Sequence, residues 1–134
     1  MSNDEQQQRR ILIIEDHNDV ADIEKLLCEM EGYDVRVTST GEDGWTAVQE
    51  FGPDLVLLDL MLPGELTGND VLKKIRTELP GKSPKVLVVS ALVNPNTAPN
   101  LAEPGQVESM GKPFTVNALA ERMRLLLESS SPRV

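Results

Sequence analysis

The sequence predicts a doubly wound α/β domain, a parallel sheet with helices on both faces, and three observations carry that reading. Ile11 to Ile14, Leu55 to Leu58 and Val86 to Val89 are short, continuous runs of β-branched residues and leucine bounded by polar or turn residues, as expected of strands covered on both faces. Between them apolar residues recur at three- and four-residue spacing, the period of a helix. Such alternation requires crossover connections, and right-handed crossovers place helices on both sides of a parallel sheet. A length of 134 residues fits one domain with a complete core.

The elements follow in order. After the first strand, Val20, Ile23, Leu27 and Met30 are assigned to one face of a first helix, with Gly32 as its stop. Asp34 to Thr38 alternates polar and apolar residues, placing Val35 and Val37 on one side of a strand near the sheet edge. Trp45, Val48 and Phe51 mark a second helix ended by Gly52-Pro53. Past Asp59, a loop with Pro63, Gly64 and Gly68 leads to a third helix around Val71, Leu72 and Ile75, closed by Leu79-Pro80-Gly81. Pro95, Pro99 and Pro104 remove amide donors from the next stretch, so the fourth helix is expected to be short or irregular. Gln106 to Met110 is read as a fifth strand, and Thr115 as the cap of a last helix whose inner face holds Leu119, Met123 and Leu126.

Composition narrows the function classes. Thirteen Lys and Arg against 22 Asp and Glu give a net charge of −9, which disfavours direct contact with nucleic acid or an anionic membrane. The single cysteine, Cys28, cannot form an internal disulfide and reads as a small packing residue. No apolar stretch approaches the roughly 18 residues of a membrane span, and Met1 to Arg10 lacks the apolar segment of a secretory signal. A cytoplasmic domain is expected.

In a doubly wound sheet, ligands sit at the carboxyl ends of the strands, where the winding reverses. The residues there are Glu15 and Asp16, Asp59, Ser90 and Lys112. Any one alone reads as a solvated strand end. Together, three carboxylates at one edge repel one another unless a cation lies between them, and a small open cluster of this kind suits magnesium better than a calcium cage. An aspartate can act as nucleophile toward a phosphoryl group while a cation, a lysine and a hydroxyl hold the transferring oxygens.

Four segments carry a family resemblance: Ile11-Leu-Ile-Ile-Glu-Asp16, Pro53-Asp-Leu-Val-Leu-Leu-Asp59-Leu-Met-Leu-Pro63, Val86-Leu-Val-Val-Ser-Ala91 and Gly111-Lys-Pro-Phe114. Over residues 9–128 the chain resembles the receiver domains of two-component response regulators, the CheY-like superfamily, with residues 1–8 and 129–134 as flexible tails or linker. The resemblance implies a flavodoxin-like, five-stranded parallel sheet in the order 2-1-3-4-5. It implies Asp59 as the phosphoacceptor, fed by a histidine kinase or a phosphotransfer protein in a phosphorelay, and aspartyl phosphate as the signalling state. Asp16, Asp59 and the Met61 backbone carbonyl would bind Mg2+ directly and Glu15 through water. Ser90 and Lys112 would hold phosphoryl oxygens, and the peptide bond before Pro113 would be cis. Such a domain is a phosphoacceptor with weak self-catalysed phosphotransfer and autodephosphorylation, not an enzyme acting on a metabolite; it controls a downstream protein or an output domain.

Two departures bear on output. Where the family commonly has an aromatic switch residue, three positions before the lysine, this chain has Ser109, which cannot fill the same volume. The proline-bearing fourth segment falls where the family's output face commonly lies, and either an order transition on phosphorylation or a plain irregular loop fits it. Met61 and Leu92 place apolar side chains beside the acceptor and the hydroxyl. His17 reads as a surface group and Trp45 as packing. Two rival readings are a pseudo-receiver that binds proteins without phosphorylation, and a flavin carrier. The second would need a Gly- or Ser-rich phosphate loop where Glu15-Asp16-His17-Asn18 stands. No residue pattern fixes an oligomeric state.

Overall fold

The computed structural model describes residues 8–79 and 83–128. Five strands, β1 (Arg10–Ile14), β2 (Asp34–Thr38), β3 (Leu55–Leu58), β4 (Lys85–Ser90) and β5 (Val107–Gly111), alternate with five helices, α1 (Asn18–Met30), α2 (Gly41–Phe51), α3 (Gly68–Glu78), α4 (Ala98–Leu101) and α5 (Val116–Glu128). All strand pairs are parallel, in the order β2-β1-β3-β4-β5. The expected doubly wound, flavodoxin-like architecture is the one observed. The fifth strand runs one residue later than expected.

Because strand side chains alternate, the sheet feeds two cores. Ile11, Ile13, Leu55, Leu57, Leu87 and Val89 pack with α1 and α5. Leu12, Ile14, Val56, Leu58, Val86 and Val88 pack on the other face with α2 and α3. The third and fifth helices bury the residues their spacing predicted, Val71, Leu72 and Ile75 in one and Leu119, Met123 and Leu126 in the other. Thr115 accepts a hydrogen bond from the Ala118 amide at 3.1 Å, the expected cap. The fourth helix is a single turn.

The first helix corrects the expected face. Leu27 is buried, but Ile23 and Met30 are 46% and 75% exposed. The inner surface of α1 is Ala21, Glu24, Leu27 and Cys28. The helix is rotated so that Ile23, Leu26 and Met30 form an outer stripe, and the apolar residues alone gave the wrong phase. In the second helix Val48 is buried while Trp45 and Phe51 lie half-buried at the core margin. The Pro80-Gly81 stop and the expected tails, Gln8 apart, lie outside the described residues. Among the described residues no helix is long and apolar enough to cross a membrane. Cys28 is buried in the core, and burial pushes its thiol up to about 12, as a packing residue without redox chemistry requires.

Candidate functional site

The register of the sheet brings the strand-end residues together. Ile14 pairs with Leu58, so Glu15 and Asp59 leave adjacent strands side by side. Their backbones remain tied to the sheet, Glu15 through its amide to Thr38 O at 3.0 Å and Asp59 through its amide to Ile14 O at 3.1 Å. Ser90 pairs with Gly111, which sets Lys112 just beyond the end of β5. The Lys112 amide then donates to Ser90 O at 3.2 Å.

Lys112 Nζ spans the cluster, 2.9 Å from Glu15 Oε1 and 3.1 Å from Asp59 Oδ2. Both carboxylates are almost fully buried. Burial works against the charged ammonium, but the hydrogen bonds it donates to Glu15 and Asp59 outweigh it and hold the Lys112 pKa above its ordinary value. Burial likewise raises the Glu15 pKa, against the opposing pull of Lys112 and of the His17 amide. That amide donates to Glu15 Oε2 at 3.1 Å.

Asp16 Oδ1 is buried and has no hydrogen-bond partner. An Asp16 carboxylate oxygen lies with carboxylate atoms of Glu15 and Asp59 and a ring nitrogen of His17 in a group whose members are all within 4.8 Å of one another. A carboxylate oxygen without a hydrogen bond, beside two further carboxylates, is a donor set for a hard cation. The residues therefore fit a divalent ion.

Next to this cluster, the Met61 amide donates to Asp59 Oδ1 at 3.1 Å, which places the Met61 peptide beside the carboxylates. Ser90 is fully buried, and its Oγ accepts from the Leu92 amide at 3.2 Å. The Lys112-Pro113 bond is cis, as expected. Ser109 sits half-buried on β5, and its carbonyl accepts from Arg122 Nη1 at 3.4 Å.

Two supports of the site went unread in the sequence. Glu42, in the first turn of α2, accepts from the amides of Glu65 at 3.2 Å and Leu66 at 3.1 Å. The loop after Asp59 is thereby fastened to a neighbouring helix. Gly68, at the start of α3, lies so close to the Asp59 carbonyl and Leu60 Cα that a β-carbon would collide with backbone. We expect Gly68→Ala to cost about 3 kcal/mol by urea denaturation, since the main chain that must yield also carries the acceptor. A third residue, Glu24, is buried with Oε1 unpartnered. Its position among apolar neighbours of α1 offered no polar signal.

In a doubly wound sheet, ligand sites lie at the carboxyl ends of the strands, where this acidic pocket and its lysine stand. The response regulator receiver domain model matches residues 11–124, and the chain belongs to that family. It is 35% identical over 123 residues to the Bacillus subtilis protein named "Uncharacterized transcriptional regulatory protein YkoG", covering 92% of this chain and 53% of that one. It is 36% identical over 126 residues to the DNA-binding response regulator MtrA of Mycolicibacterium smegmatis, covering 89% of this chain and 50% of that one. The chain thus spans about half the length of these curated relatives. Among solved structures, the BeF3-activated N-terminal receiver domain of Klebsiella pneumoniae RstA superposes with a TM-score of 0.76 at 26% identity, covering 89% of this chain and 98% of that one. A CheY-like receiver domain protein from Methanospirillum hungatei gives 0.78 at 25% identity, covering 92% and 96%.

Proposed function

We propose that the domain accepts a phosphoryl group on Asp59 from a histidine kinase or phosphotransfer protein, in a magnesium-dependent reaction, and passes the signal to a protein target or output domain. The observation that supports this reading best is Lys112 Nζ held between Glu15 and Asp59 beside an Asp16 oxygen that has no hydrogen bond. An Asp59 carboxylate oxygen would form the new bond to phosphorus as the phosphorus–nitrogen bond of a phosphohistidine breaks, the electron pair leaving with the imidazole. Lys112 would then exchange its Asp59 contact for a phosphoryl oxygen, and the Ser90 hydroxyl would donate to another. Glu15, Asp16, Asp59 and the Met61 carbonyl are the groups that would hold magnesium. When bound, the ion would supply neutralisation of charge on the transferring oxygens. Positioning and charge do the work, so the domain itself needs no metabolite substrate and is not an enzyme in that sense.

Intact mass after incubation with acetyl phosphate tests the reading. One added phosphoryl group is expected in wild type with magnesium, and none in Asp59→Asn or in metal-free protein. A folded wild type that gains nothing from acetyl phosphate or from its kinase would favour the pseudo-receiver. The DNA-binding named for MtrA belongs to that longer protein; here the net charge of −9 argues for a protein partner.

Met61 and Leu92 are 53% and 47% exposed. Their apolar side chains at the mouth of the site are expected to hinder an attacking water. The phosphorylated Met61→Asn, Leu92→Glu variant should decay roughly tenfold faster than wild type, about 1.4 kcal/mol in the barrier, followed by intact mass over time. Equal decay would remove the idea.

A further inference from the structure

We propose that His17 is a nitrogen ligand of the cation site, so that the pocket takes a borderline divalent transition ion, such as nickel or zinc, more tightly than magnesium. This rests on the reading of Glu15, Asp16 and Asp59 as a cation site. His17 Nδ1 stands 3.4 Å from Glu15 Oε2 and 3.6 Å from Asp16 Oδ1. The side chain is 69% exposed, yet this nitrogen faces the carboxylates.

The spacing suits a coordination shell. Around a six-coordinate ion with bonds of about 2.1 Å, neighbouring ligand atoms stand about 3.0 Å apart and opposite ones about 4.2 Å apart. The four ligand atoms of Glu15, Asp16, His17 and Asp59 lie within 4.8 Å of one another, so small side-chain rotations bring them onto one ion. An imidazolium held by the carboxylates is the competing account, but at 3.6 Å from Asp16 Oδ1 it pairs with that oxygen without a hydrogen bond. An ion between the imidazole and Asp16 would satisfy both groups.

The chemistry of the set then decides the ion. Carboxylates, carbonyls and water suit magnesium, whereas imidazole favours nickel, copper and zinc, which also bind mixed nitrogen and oxygen sites more strongly along the divalent series. His17 adds that preference to a cluster otherwise made for a hard ion. A transition ion seated there would compete with magnesium for Asp16 and Asp59.

The chain has one histidine, so any imidazole signal reports His17. The experiment is calorimetric titration of the intact chain with Ni2+ and with Mg2+, in wild type, His17→Asn and Asp16→Asn, with pulsed EPR of protein carrying one equivalent of Cu2+. Ni2+ affinity is expected to exceed Mg2+ affinity in wild type and to fall at least about tenfold in His17→Asn, with Mg2+ affinity unchanged within about twofold. The wild-type EPR spectrum should show the remote imidazole nitrogen, and His17→Asn should lose it. If Mg2+ binds and requires Asp16 while Ni2+ binding ignores His17 and no imidazole signal appears, this inference falls and the magnesium reading stands. If neither Mg2+ nor Ni2+ binds wild type, the cation-site reading falls and takes this inference with it.

Discussion

Glu24→Gln should make the domain more stable above neutral pH and flatten its stability against pH. Glu24 lies almost wholly buried on the inner face of α1, with Oε1 unpartnered. Burial, with smaller contributions from the charges of Glu15 and Asp59 and an opposing one from Lys112, pushes its carboxyl from 4.5 up to about 8. Between those values the folded chain keeps the proton and the unfolded chain loses it. Stability is therefore full below about 4.5 and lost as pH rises through about 8. The shift corresponds to an upper bound of about 5 kcal/mol. Urea midpoints measured from pH 5 to 9 in wild type and Glu24→Gln provide the test, because the difference curve cancels the groups that do not interact with Glu24 and keeps its own titration together with its coupling to Glu15, whose raised pKa has the same sign. A difference that stays constant across that range would show that Glu24 ionises freely in the folded protein.

The second large effect concerns Lys112. Replacing it by methionine keeps the length and removes the only ammonium seen to bridge Glu15 and Asp59 among the described residues. Two buried carboxylates are left facing each other and Asp16. Breaking a buried pair from one side costs about 3 kcal/mol or more. Proton uptake by Glu15 limits that cost at low pH, so the loss in Lys112→Met should be larger at pH 8 than at pH 5.5. Magnesium should restore part of it, by doing for the carboxylates what the ammonium did. Urea denaturation with and without magnesium measures both effects; stability equal to wild type at pH 8 without the ion would show that the pair contributes nothing.

Much of this site was readable because its parts end strands. A buried parallel strand is a continuous apolar run, and the first polar residue after it marks the sheet edge, which is how Glu15, Asp59, Ser90 and Lys112 could be assembled without coordinates. Asp16, one residue further on, came with Glu15. The supports were harder to see for a different reason. Glu42 and Gly68 act on backbone of a loop whose path depends on how α2 and α3 pack, and local sequence carries no record of that distance. Glu24 was invisible in yet another way, since helical periodicity assigns charged residues to the outside. There the apolar stripe of Ile23, Leu26 and Met30 pointed to solvent instead, and Glu24 shares the inner face with Ala21, Leu27 and Cys28.

The prolines at 95, 99 and 104 correctly foretold a stunted α4, but not what holds the segment in place. Thr97 Oγ1 donates to Leu92 O at 3.1 Å and accepts from the Asn94 amide at 2.9 Å, while the Leu92 amide rests on Ser90 Oγ at 3.2 Å. The residue that would meet a phosphoryl oxygen is thus the first knot in a string running through the loop to the lone turn of α4. Val93 and Leu101 pack against the second core only partly buried, and α4 buries no residue completely. Its rearrangement would exchange a handful of polar contacts and the marginal packing of Val93 and Leu101, each a small fraction of the domain's folding free energy. A stiff sheet thereby ends in a tether loose enough to be rewritten locally, leaving the buried residues of both cores in place.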